Sequence, residues 1–324
     1  MFHDLLRERF GVTPRAVHAV RGGFSAKAYR VEAGDRTFFL KVYDKALPTV
    51  QPFIGRIDAY MPALGWLSAA QALAGRVAEP IPALDGACKA ETAGHVFLLF
   101  AYVQGETPGE KGLTLGQTKE LAQILASLHE AGTRIPFETP GLAEELSLSF
   151  CDKLARYLLD ADAEETELSR LVCPHAATLR AAIEEAVRLR DTVRLNAEPL
   201  VLCHADAHSY NVMQGPRLVL VDWEDLRWAP AEADLFMQMH MQNPHWAAFL
   251  RAYAAARGGF RIHADLLRFY CIRRRLEDIS ADVERMTQED PGQAEIARMF
   301  GWFRIAIADL HRLLSDTWEG GAWR

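Results

Sequence analysis

The sequence lacks a long apolar segment. Its longest uncharged run, residues 59–75, is interrupted by Pro62, Gly65, Ser68 and Gln71, whereas a membrane-spanning helix needs about 20 mostly apolar residues. The first ten residues, MFHDLLRERF, mix charged with apolar side chains and so lack the apolar core of a signal peptide. We therefore expect neither a membrane-spanning nor an exported protein.

Cysteine is scarce as well, and the cysteines that occur are far apart. They are Cys88, Cys151, Cys173, Cys203 and Cys271. An odd number of well-separated cysteines argues against a disulfide framework and for reduced thiols in a cytosolic compartment. The expected location is therefore the cytoplasm.

Positive charge is in the minority. Lys and Arg number 36 against 43 acidic residues, which gives a net charge of −7. Nucleic-acid-binding domains usually carry a basic stripe, and the overall balance here points away from such a partner. A mildly acidic chain suits a cationic partner better. Gly and Pro, at 22 and 15, are close to average usage, so neither disorder nor a fibrous repeat is indicated.

At 324 residues the chain has the length of about two domains. The first hundred residues are mostly strand-like. Short β-rich runs occupy residues 16–20, 28–31 and 37–42, a helical stretch follows at about 57–74, and a possible hairpin joins residues 87–91 to 95–103.

A polar, turn-rich tract, residues 104–111, is the best domain boundary. Beyond it the apolar period changes from two to 3.6, and Thr114 with Gln117 forms a capping box typical of a helix start. The remainder is mostly helical. The sequence thus predicts an α+β protein with a β-rich N-terminal lobe, residues 1–103, and a mostly helical C-terminal lobe, residues 104–324.

The densest group of polar side chains lies between two strand-like segments. It is the run CHADAHSYN, residues 203–211, and the strand that follows ends at Asp222. A hairpin here would bring Asn211, at the start of one strand, near Asp222, at the end of the other. An amide and a carboxylate that converge on one point are good hard-oxygen ligands for Mg²⁺. Asp206 would lie one loop turn away, where it could accept a substrate proton.

Phosphoryl transfer needs such a group together with a lysine on the phosphates. Lys41 is the one charge within the apolar run FFLKV, residues 38–42, and Asp58, the only acid in the following helical stretch, could hold it as an ion pair. The loop RGGFS, residues 21–25, lies between two strands, where its backbone amides could approach phosphates. On its own this loop is a weak signal.

Two other interpretations of the polar run stay open. Asp206, Asn211 and Asp222 could belong to a polar turn that only satisfies its own backbone. Alternatively, a Zn²⁺ ion could be bound by Cys203, His204, Asp206 and His208. Alternate residues of an extended stretch rarely converge on one ion without distant partners, which disfavours the zinc site.

Taken together, these residues resemble a known family, the aminoglycoside phosphotransferases, which have a protein-kinase-like fold. Family members carry a His-x-Asp-x-His-x-x-Asn loop followed by a strand that ends in Asp-Trp. The corresponding residues here are His204, Asp206, His208, Asn211, Asp222 and Trp223. The segments VLCHADAHSYNVM, VDWEDLRWAPAEADL and RRLEDI look most similar to the spectinomycin phosphotransferase branch. The resemblance implies a bilobal fold, ATP and Mg²⁺ as cofactors, and transfer of the γ-phosphate to a small-molecule hydroxyl.

The resemblance also implies a role for each matching residue. Asp206 is expected to be the catalytic base, and Asn211 and Asp222 the metal ligands. Lys41 is expected to contact the ATP phosphates, with Asp58 orienting it. The remaining nucleotide-binding positions would be Gly22, Gly23 and Ser25 in the loop and Phe100, Ala101, Tyr102 and Val103 in the hinge that meets adenine. Two departures from the kinase pattern are a Gly-Gly-Phe-Ser loop in place of G-x-G-x-x-G, and Asp-Trp-Glu in place of Asp-Phe-Gly.

Acidic residues of the C-terminal lobe form the expected acceptor site. They are Glu224, Asp225, Glu232, Glu277 and Asp278, with Trp228 as an apolar wall. Carboxylates there suit a cationic amino-sugar or aminocyclitol. Glu277 and Asp278 are adjacent on a predicted helix, residues 266–286, and point about 100° apart, so at most one faces the acceptor squarely. Any of these acids could instead pair with a nearby arginine.

The leading hypothesis is an ATP-dependent O-phosphotransferase that acts on an aminoglycoside or aminocyclitol antibiotic such as spectinomycin and so confers antibiotic resistance. A rival hypothesis is a metabolite kinase of the same fold, acting on choline, homoserine or methylthioribose. A third is a catalytically inactive nucleotide-binding module. Against it argue the retained Lys41, Asp206, Asn211 and Asp222.

The absence of a phosphorylatable activation segment argues against a protein substrate. The expected partner is a small cationic acceptor, with no nucleic acid and no membrane. The oligomeric state is left open, with a monomer favoured.

Overall fold

A six-stranded antiparallel sheet forms the N-terminal part of the computed structural model, which describes residues 2–20, 25–160, 166–195, 199–288 and 292–315. Its strands are β1 (Ala16–Val20), β2 (Lys27–Ala33), β3 (Arg36–Asp44), β4 (Pro80–Ile81), β5 (Ala90–Glu91) and β6 (His95–Ala101). The strand order is β1-β2-β3-β6-β4, and β5 also pairs with β6. The three predicted strand runs and the predicted hairpin are therefore present, the hairpin with a much shorter first strand.

One face of this sheet packs on helix α1 (Phe2–Phe10) around an apolar core. The core cluster includes Leu6, Phe10, Val31, Phe38, Leu40, Val42, Phe97 and Leu99. Because side chains of a strand alternate between its two faces, Lys41 and Tyr43 project from β3 away from this cluster. The packing of one face thus sets the direction of two polar side chains on the other.

Helix α2 (Gln51–Ala69) starts earlier than the predicted helical stretch, residues 57–74. Pro52 lies in its first turn, where a missing N–H costs little because the first four amides of a helix have no intrahelical partner. The helix ends at Ala69, and a single 3₁₀ turn, Gln71–Leu73, follows it.

The rest of the chain is mainly helical. After α2 the helices are α3 (Leu115–Gly132), α4 (Ser149–Asp160), α5 (Glu167–Val172), α6 (Ala176–Leu195), α7 (Glu232–His240), α8 (Trp246–Ala256), α9 (Ala264–Gln288) and α10 (Gln293–Leu314). Four short strands form two further ladders: β7 (Val201–Cys203) with β10 (Arg227–Ala229), and β8 (Val212–Gln214) with β9 (Leu218–Leu220). A β-rich N-terminal region followed by a mainly helical region confirms the predicted α+β class.

The chain divides into two compact units. The first contains Met1–Glu144 and Leu200–Phe260, and the second contains Glu145–Pro199 and Arg261–Arg324. The lobe boundary predicted between residues 103 and 104 lies inside the first unit and stays a prediction. The first unit therefore holds both the six-stranded sheet and the polar run of residues 203–211.

Helix α3 anchors the helical part of the first unit. Its capping box is present as predicted: the Thr114 hydroxyl accepts from the Gln117 amide at 3.3 Å, and the Gln117 side-chain carbonyl accepts from the Thr114 amide at 3.0 Å. The helix then packs against α8 and β7. This fixed start and its two neighbours determine where the C-terminal turn of α3 meets the strand that leads into the polar run.

The second unit is a group of helices in which α9 packs against α4, α6 and α10. Charged pairs lie between its helices: Arg275 binds Asp309 on α10, and Arg268 lies 3.0 Å from Glu185 on α6. Within the described ranges, no helix combines the length and apolar character that crossing a membrane requires.

Gly132, at the C-terminal end of α3, lies directly against β7. A Cβ atom at this position would come within 2.5 Å of the Leu202 Cβ atom. We expect Gly132→Ala to lower the free energy of unfolding by about 1–3 kcal/mol, because overpacking displaces the helix or the strand. Urea unfolding followed by circular dichroism measures this change.

Gly116, in the first turn of the same helix, is the matched control. A Cβ atom there would meet nothing within 4 Å, so Gly116→Ala should be neutral or stabilise the protein by up to about 1 kcal/mol. Equal effects of the two substitutions would contradict a close contact between α3 and β7.

Candidate functional site

The polar run forms the loop between β7 and β8, and we call residues 204–211 the polar loop. Asp206 and Asn211 meet within it. The Asn211 Nδ2 donates to the backbone carbonyl of Asp206 at 3.0 Å and to its Oδ2 at 2.5 Å. The Asp206 side chain is 17% exposed. The loop therefore orients one partly accessible carboxylate through an amide side chain five residues later.

Helix α7 holds the backbone of the polar loop through two side chains. The Asp234 carboxylate accepts from the amide of His204 at 3.1 Å and from the amide of Ala205 at 2.6 Å. Gln238 donates to the carbonyl of Ala207 at 2.7 Å. Residues four apart lie on the same face of a helix. One face of α7 therefore fixes the backbone of the loop on both sides of Asp206.

Two non-glycine residues of the site have a left-handed backbone. Ala205 has a φ of +64° and Asp222 a φ of +66°. Such conformations cost on the order of 1–3 kcal/mol and persist where surrounding contacts hold them. The contacts are present here: Asp234 binds the amide of Ala205, and His204 Nε2 donates at 3.0 Å to the carbonyl of Val221, directly before Asp222.

Asn211 and Asp222 lie at the open end of the β8–β9 hairpin. The antiparallel register of the two strands continues into a bond from the Val221 amide to the Asn211 carbonyl at 3.0 Å. The hairpin therefore places Asp222 beside Asn211, which in turn contacts Asp206. The sequence predicted this convergence.

Lys41 reaches the same place from β3. Its Nζ lies 2.6 Å from Asp222 Oδ1 and 2.7 Å from Glu224 Oε1. The Tyr43 hydroxyl donates to the same Glu224 oxygen, and the Ser25 hydroxyl donates to Glu224 Oε2 at 2.8 Å. The sheet and the segment after β9 are thus joined by one buried charged cluster.

Burial and charge act in opposite directions within this cluster. Burial alone would lower the pKa of the Lys41 ammonium, but Asp222 and Glu224 outweigh it and raise that pKa above its ordinary value. Burial raises the pKa of the Glu224 carboxyl, and the Lys41 ammonium opposes the rise. Burial also raises the pKa of the Tyr43 and Tyr60 phenols, which remain neutral. One ammonium therefore balances two carboxylates in a partly buried position, where water screens charges less than at the open surface.

The structure does not bring Asp58 to Lys41, which corrects the predicted ion pair. The Asp58 carboxylate is 70% exposed and lies 2.7 Å from Lys89 Nζ. Lys41 is already bound by two carboxylates from one nearby segment, and Glu224 takes the place predicted for Asp58.

Helix α2 contacts the site through the Arg56 side chain and not through Asp58. Arg56 Nε donates to the backbone carbonyl of Glu224 at 3.1 Å, and its Nη2 donates to the carbonyl of Leu226 at 2.9 Å. Positions 56 and 58 point about 200° apart on a helix, so Arg56 faces this segment while Asp58 faces solvent. The guanidinium fixes the backbone that carries the Glu224 carboxylate.

The glycine loop can be placed only at its end. Gly22 and Gly23 lie outside the described residues, so their predicted role stays a prediction. Ser25 is buried, and its bond to Glu224 connects the end of the loop to the charged cluster.

The predicted adenine-binding segment, residues 100–103, continues from β6. The Ala101 amide donates to the Glu79 carbonyl at 2.8 Å, and the Tyr102 amide donates to the Thr37 carbonyl at 3.2 Å. These bonds hold the segment between β3 and the start of β4. Its contact with adenine stays a prediction.

Several of the acids predicted for the acceptor site pair with cations. These pairs include Glu224 with Lys41, Asp225 with Arg227 at 2.6 Å, Glu277 with Arg273 at 2.9 Å, and Asp278 with Arg274 at 2.8 Å. Glu277 and Asp278 belong to α9 in the second unit, and both form the arginine pair considered as their alternative. Glu232 is buried in the first turn of α7, and Trp228 Nε1 donates to the Thr139 hydroxyl at 2.7 Å. The acceptor site stays a prediction.

The four side chains considered for zinc all have hydrogen-bond partners, and two of them, His208 and Asp206, lie 3.4 Å apart. Cys203 Sγ lies 3.5 Å from the Pro230 carbonyl, His204 binds Val221, Asp206 binds Asn211, and His208 Nδ1 accepts from the Tyr210 amide at 3.2 Å. Burial raises the pKa of the Cys203 thiol well above its usual range, which opposes the thiolate that zinc needs. The geometry is that of a hydrogen-bonded loop.

Asn211 and Asp222 supply the donor set of a hard cation. Asn211 uses its Nδ2 on Asp206, so its Oδ1 remains as a ligand atom, and Asp222 binds Lys41 through one of its two oxygens. Amide and carboxylate oxygens are the ligands that Mg²⁺ prefers. The residues present therefore fit Mg²⁺.

Sequence reasoning missed Tyr43 and the part that Glu224 plays at Lys41. The alternation of β3 places Tyr43 on the face of Lys41, so a signal for the tyrosine was available. His129 was missed because it lies on the apolar face of α3, where a histidine has no distinguishing pattern. It contacts Asp234 at 2.8 Å.

The sequence is similar to a known enzyme family and to a protein of Streptomyces griseus. Residues 16–270 match the phosphotransferase enzyme family. The chain is 27% identical to protein StrN of Streptomyces griseus over 243 residues, which span 71% of this chain and 70% of StrN.

Two solved structures share the fold. The spectinomycin phosphotransferase APH(9)-Ia, in complex with ADP and spectinomycin, has a TM-score of 0.71 at 16% identity and covers 96% of this chain and 97% of its own. A thermostable mutant of the aminoglycoside phosphotransferase APH(4)-Ia, in a ternary complex with AMP-PNP and hygromycin B, has a TM-score of 0.62 at 16% identity and covers 99% of both chains. The protein-kinase-like fold implied by the sequence is therefore confirmed.

The cluster around Lys41 predicts a pH-dependent loss of stability. Lys41→Met leaves the buried Glu224 and the partly buried Asp222 without their cation, so we expect the free energy of unfolding to fall by about 3–5 kcal/mol at about pH 8. The lost ammonium also lets the folded-state pKa of Glu224 rise further, so the folded variant holds a proton that the unfolded chain releases. Stability then falls as pH rises, and the cost should be smaller at about pH 5.

The double variant Lys41→Met/Glu224→Gln is the control for this prediction. It removes the titrating carboxyl, so the difference between the two pH values should shrink. Urea unfolding of the three proteins at both pH values is the measurement. An equal cost of Lys41→Met at both values would contradict the buried cluster.

Proposed function

The chain belongs to the phosphotransferase enzyme family, and from this premise we propose that it transfers the γ-phosphate of ATP to a hydroxyl group of a small molecule. The observation that carries the proposal is that Lys41 contacts Asp222, that Asn211 contacts Asp206, and that the bond from the Val221 amide to the Asn211 carbonyl joins the two pairs. Phosphoryl transfer requires positioning, charge neutralisation and a proton acceptor rather than covalent catalysis. These four side chains are of the types that supply them.

Asp206 is the proposed catalytic base. Its carboxylate accepts the proton of the acceptor hydroxyl while the hydroxyl oxygen forms a bond to the γ-phosphorus. The bond from that phosphorus to the bridging oxygen breaks, and the electron pair leaves with ADP. Asn211 orients Asp206 through its Nδ2, so the base does not have to find its orientation during the reaction.

Asn211 and Asp222 are the proposed ligands of Mg²⁺, which when bound neutralises phosphate charge. Lys41 lies within 2.6 Å of Asp222, so its ammonium is positioned to share the same phosphate groups. Glu224 also binds the lysine, and Tyr43 in turn donates to Glu224. The proposed nucleotide site also includes Ser25, the loop glycines and the segment of residues 100–103.

The proposed acceptor is a cationic aminoglycoside or aminocyclitol such as spectinomycin. The net charge of −7 favours a cationic ligand, and the spectinomycin and hygromycin B complexes of fold relatives support this class. The acids proposed to meet the acceptor are Asp225 and Glu232, which belong to the same unit as the polar loop, together with Trp228. A metabolite kinase that acts on choline, homoserine or methylthioribose is the second candidate.

A panel of acceptors tests the proposal. The wild-type protein is incubated with Mg²⁺-ATP and, separately, spectinomycin, hygromycin B, choline, homoserine and methylthioribose, and ADP formation and the phosphorylated product are measured. We expect turnover with an aminocyclitol or aminoglycoside. Asp206→Asn should then lower kcat about 10²- to 10⁴-fold, because it keeps the shape but loses the proton acceptor.

Nucleotide binding separates loss of chemistry from loss of structure in this experiment. The Asp206→Asn variant should bind ATP with an affinity close to that of the wild type. Near-normal kcat in the variant would remove Asp206 from the mechanism. Turnover of only a metabolite would replace the first candidate with the second.

The proposed metal ligands give a separate prediction. Asp222→Ala and Asn211→Ala each remove one oxygen ligand from a site that has few, so both variants should need more Mg²⁺ for half-maximal activity. Titration of initial rates with Mg²⁺ at saturating ATP measures this. An unchanged Mg²⁺ requirement in both variants would show that the ligands are assigned wrongly.

A further inference from the structure

Three buried side chains form a chain of hydrogen bonds from α8 through α3 to α7. Tyr253 Oη lies 2.6 Å from His129 Nδ1, and His129 Nε2 lies 2.8 Å from Asp234 Oδ2. All three residues have a relative exposure of 0%. The chain ends on the carboxylate that binds the amides of His204 and Ala205, directly before the proposed catalytic base.

The partners determine where the protons lie. A carboxylate can only accept hydrogen bonds, so His129 Nε2 carries a proton and donates to Asp234. With Nε2 as the donor to Asp234, Nδ1 is assigned as the acceptor, and the Tyr253 hydroxyl donates to it. Burial raises the pKa of Tyr253, which keeps its phenol protonated for this role. In this series of hydrogen bonds Tyr253 donates to His129 and His129 donates to Asp234, so every bond runs in the same direction.

We propose that His129 and Tyr253 are positioning residues for Asp206, acting through Asp234 and the backbone of the polar loop. This inference rests on the proposed function for its kinetic consequence, whereas its structural consequence can be measured without any acceptor.

The strain in the loop explains why such positioning is needed. Ala205 has a φ of +64° and is held by Asp234 Oδ1 at 2.6 Å. A carboxylate with two backbone partners can still rotate about its side-chain bonds, and the His129 donor restricts this rotation by binding Oδ2. Without His129, Asp234 would be buried with one unsatisfied acceptor site, and relaxation of its side chain would release the strained amide.

A metal ion is the alternative occupant of this cluster. Cys203 Sγ, His129 and Asp234 each offer a ligand atom within 4.8 Å of one another. The hydrogen bonds of His129 and Asp234 already use the atoms that would bind a metal, and the raised pKa of Cys203 opposes a thiolate. The geometry therefore favours the hydrogen-bond chain over a metal site.

Three substitutions test the chain. His129→Leu removes both ring nitrogens. His129→Gln keeps an N–H donor near the position of Nε2, and Tyr253→Phe removes only the hydroxyl. Leu125→Ala is the matched control, because Leu125 is fully buried one turn earlier on α3 and its truncation weakens the same helix without touching the polar chain.

Two measurements are made on each folded protein. The first is kcat with the acceptor that the wild type turns over fastest, together with KM for ATP. The second is hydrogen–deuterium exchange of the peptide that contains the amides of His204 and Ala205, with no acceptor present.

We expect His129→Leu to lower kcat about 10- to 100-fold, the effect of a misplacement of about 1 Å, with KM for ATP unchanged. His129→Gln should recover most of this loss, and Tyr253→Phe should lose less than His129→Leu. The two amides should exchange faster in His129→Leu and stay protected in His129→Gln. Leu125→Ala should lower the melting temperature but keep kcat per folded molecule.

Other outcomes overturn the proposal. Unchanged kcat and unchanged amide exchange in His129→Leu would show that the chain does not position the loop. An equal loss of kcat in Leu125→Ala, or no recovery in His129→Gln, would assign the effect to general stability. If the wild type turns over none of the acceptors while exchange follows the expected order, the proposed function fails and the positioning chain stands.

Discussion

The pairing of two carboxylates with one lysine is the constraint on which the site depends. The Lys41 ammonium would be costly to remove from water by itself, and it is tolerated because Asp222 and Glu224 each lie within 2.7 Å of it. The pairing joins a strand of the sheet to the segment after β9. Tyr43 donates to the Glu224 oxygen that binds the lysine, and Ser25 donates to the other oxygen. These bonds fix the carboxylate and, through it, the lysine.

The polar loop obeys a second constraint, because its backbone is strained beside the proposed base. Asp234 and Gln238, four residues apart on α7, bind the loop before and after Asp206. The strain is therefore held by a helix, which is a rigid element, and not by the loop itself. Buried polar groups are stable only when their partners are complete. His129 supplies a further hydrogen-bond partner to the buried Asp234, and Tyr253 supplies one to His129.

Much of this site could be predicted from the sequence because its residues are close along the chain. Asp206, Asn211 and Asp222 lie on one loop and one hairpin, so local geometry alone brings them together. The partner of Lys41 was predicted wrongly, since Asp58 is near in sequence but faces away on α2, and Glu224 is distant in sequence but adjacent in space. The acceptor residues were hardest, because several of the acids pair with arginines and such pairing depends on which helix faces they occupy.

The sequence by itself determined the α+β class, the strands and capping box at their places, and the types of residue needed for phosphoryl transfer. These follow from periodicity and short spacings, which depend on neighbouring residues. Only the tertiary structure decided that Glu224 holds Lys41, that Arg56 fixes the backbone of this segment, and that His129 reaches Asp234. Each of these contacts joins elements far apart in the chain, and the burial that makes a polar contact strong exists only after those elements have packed together.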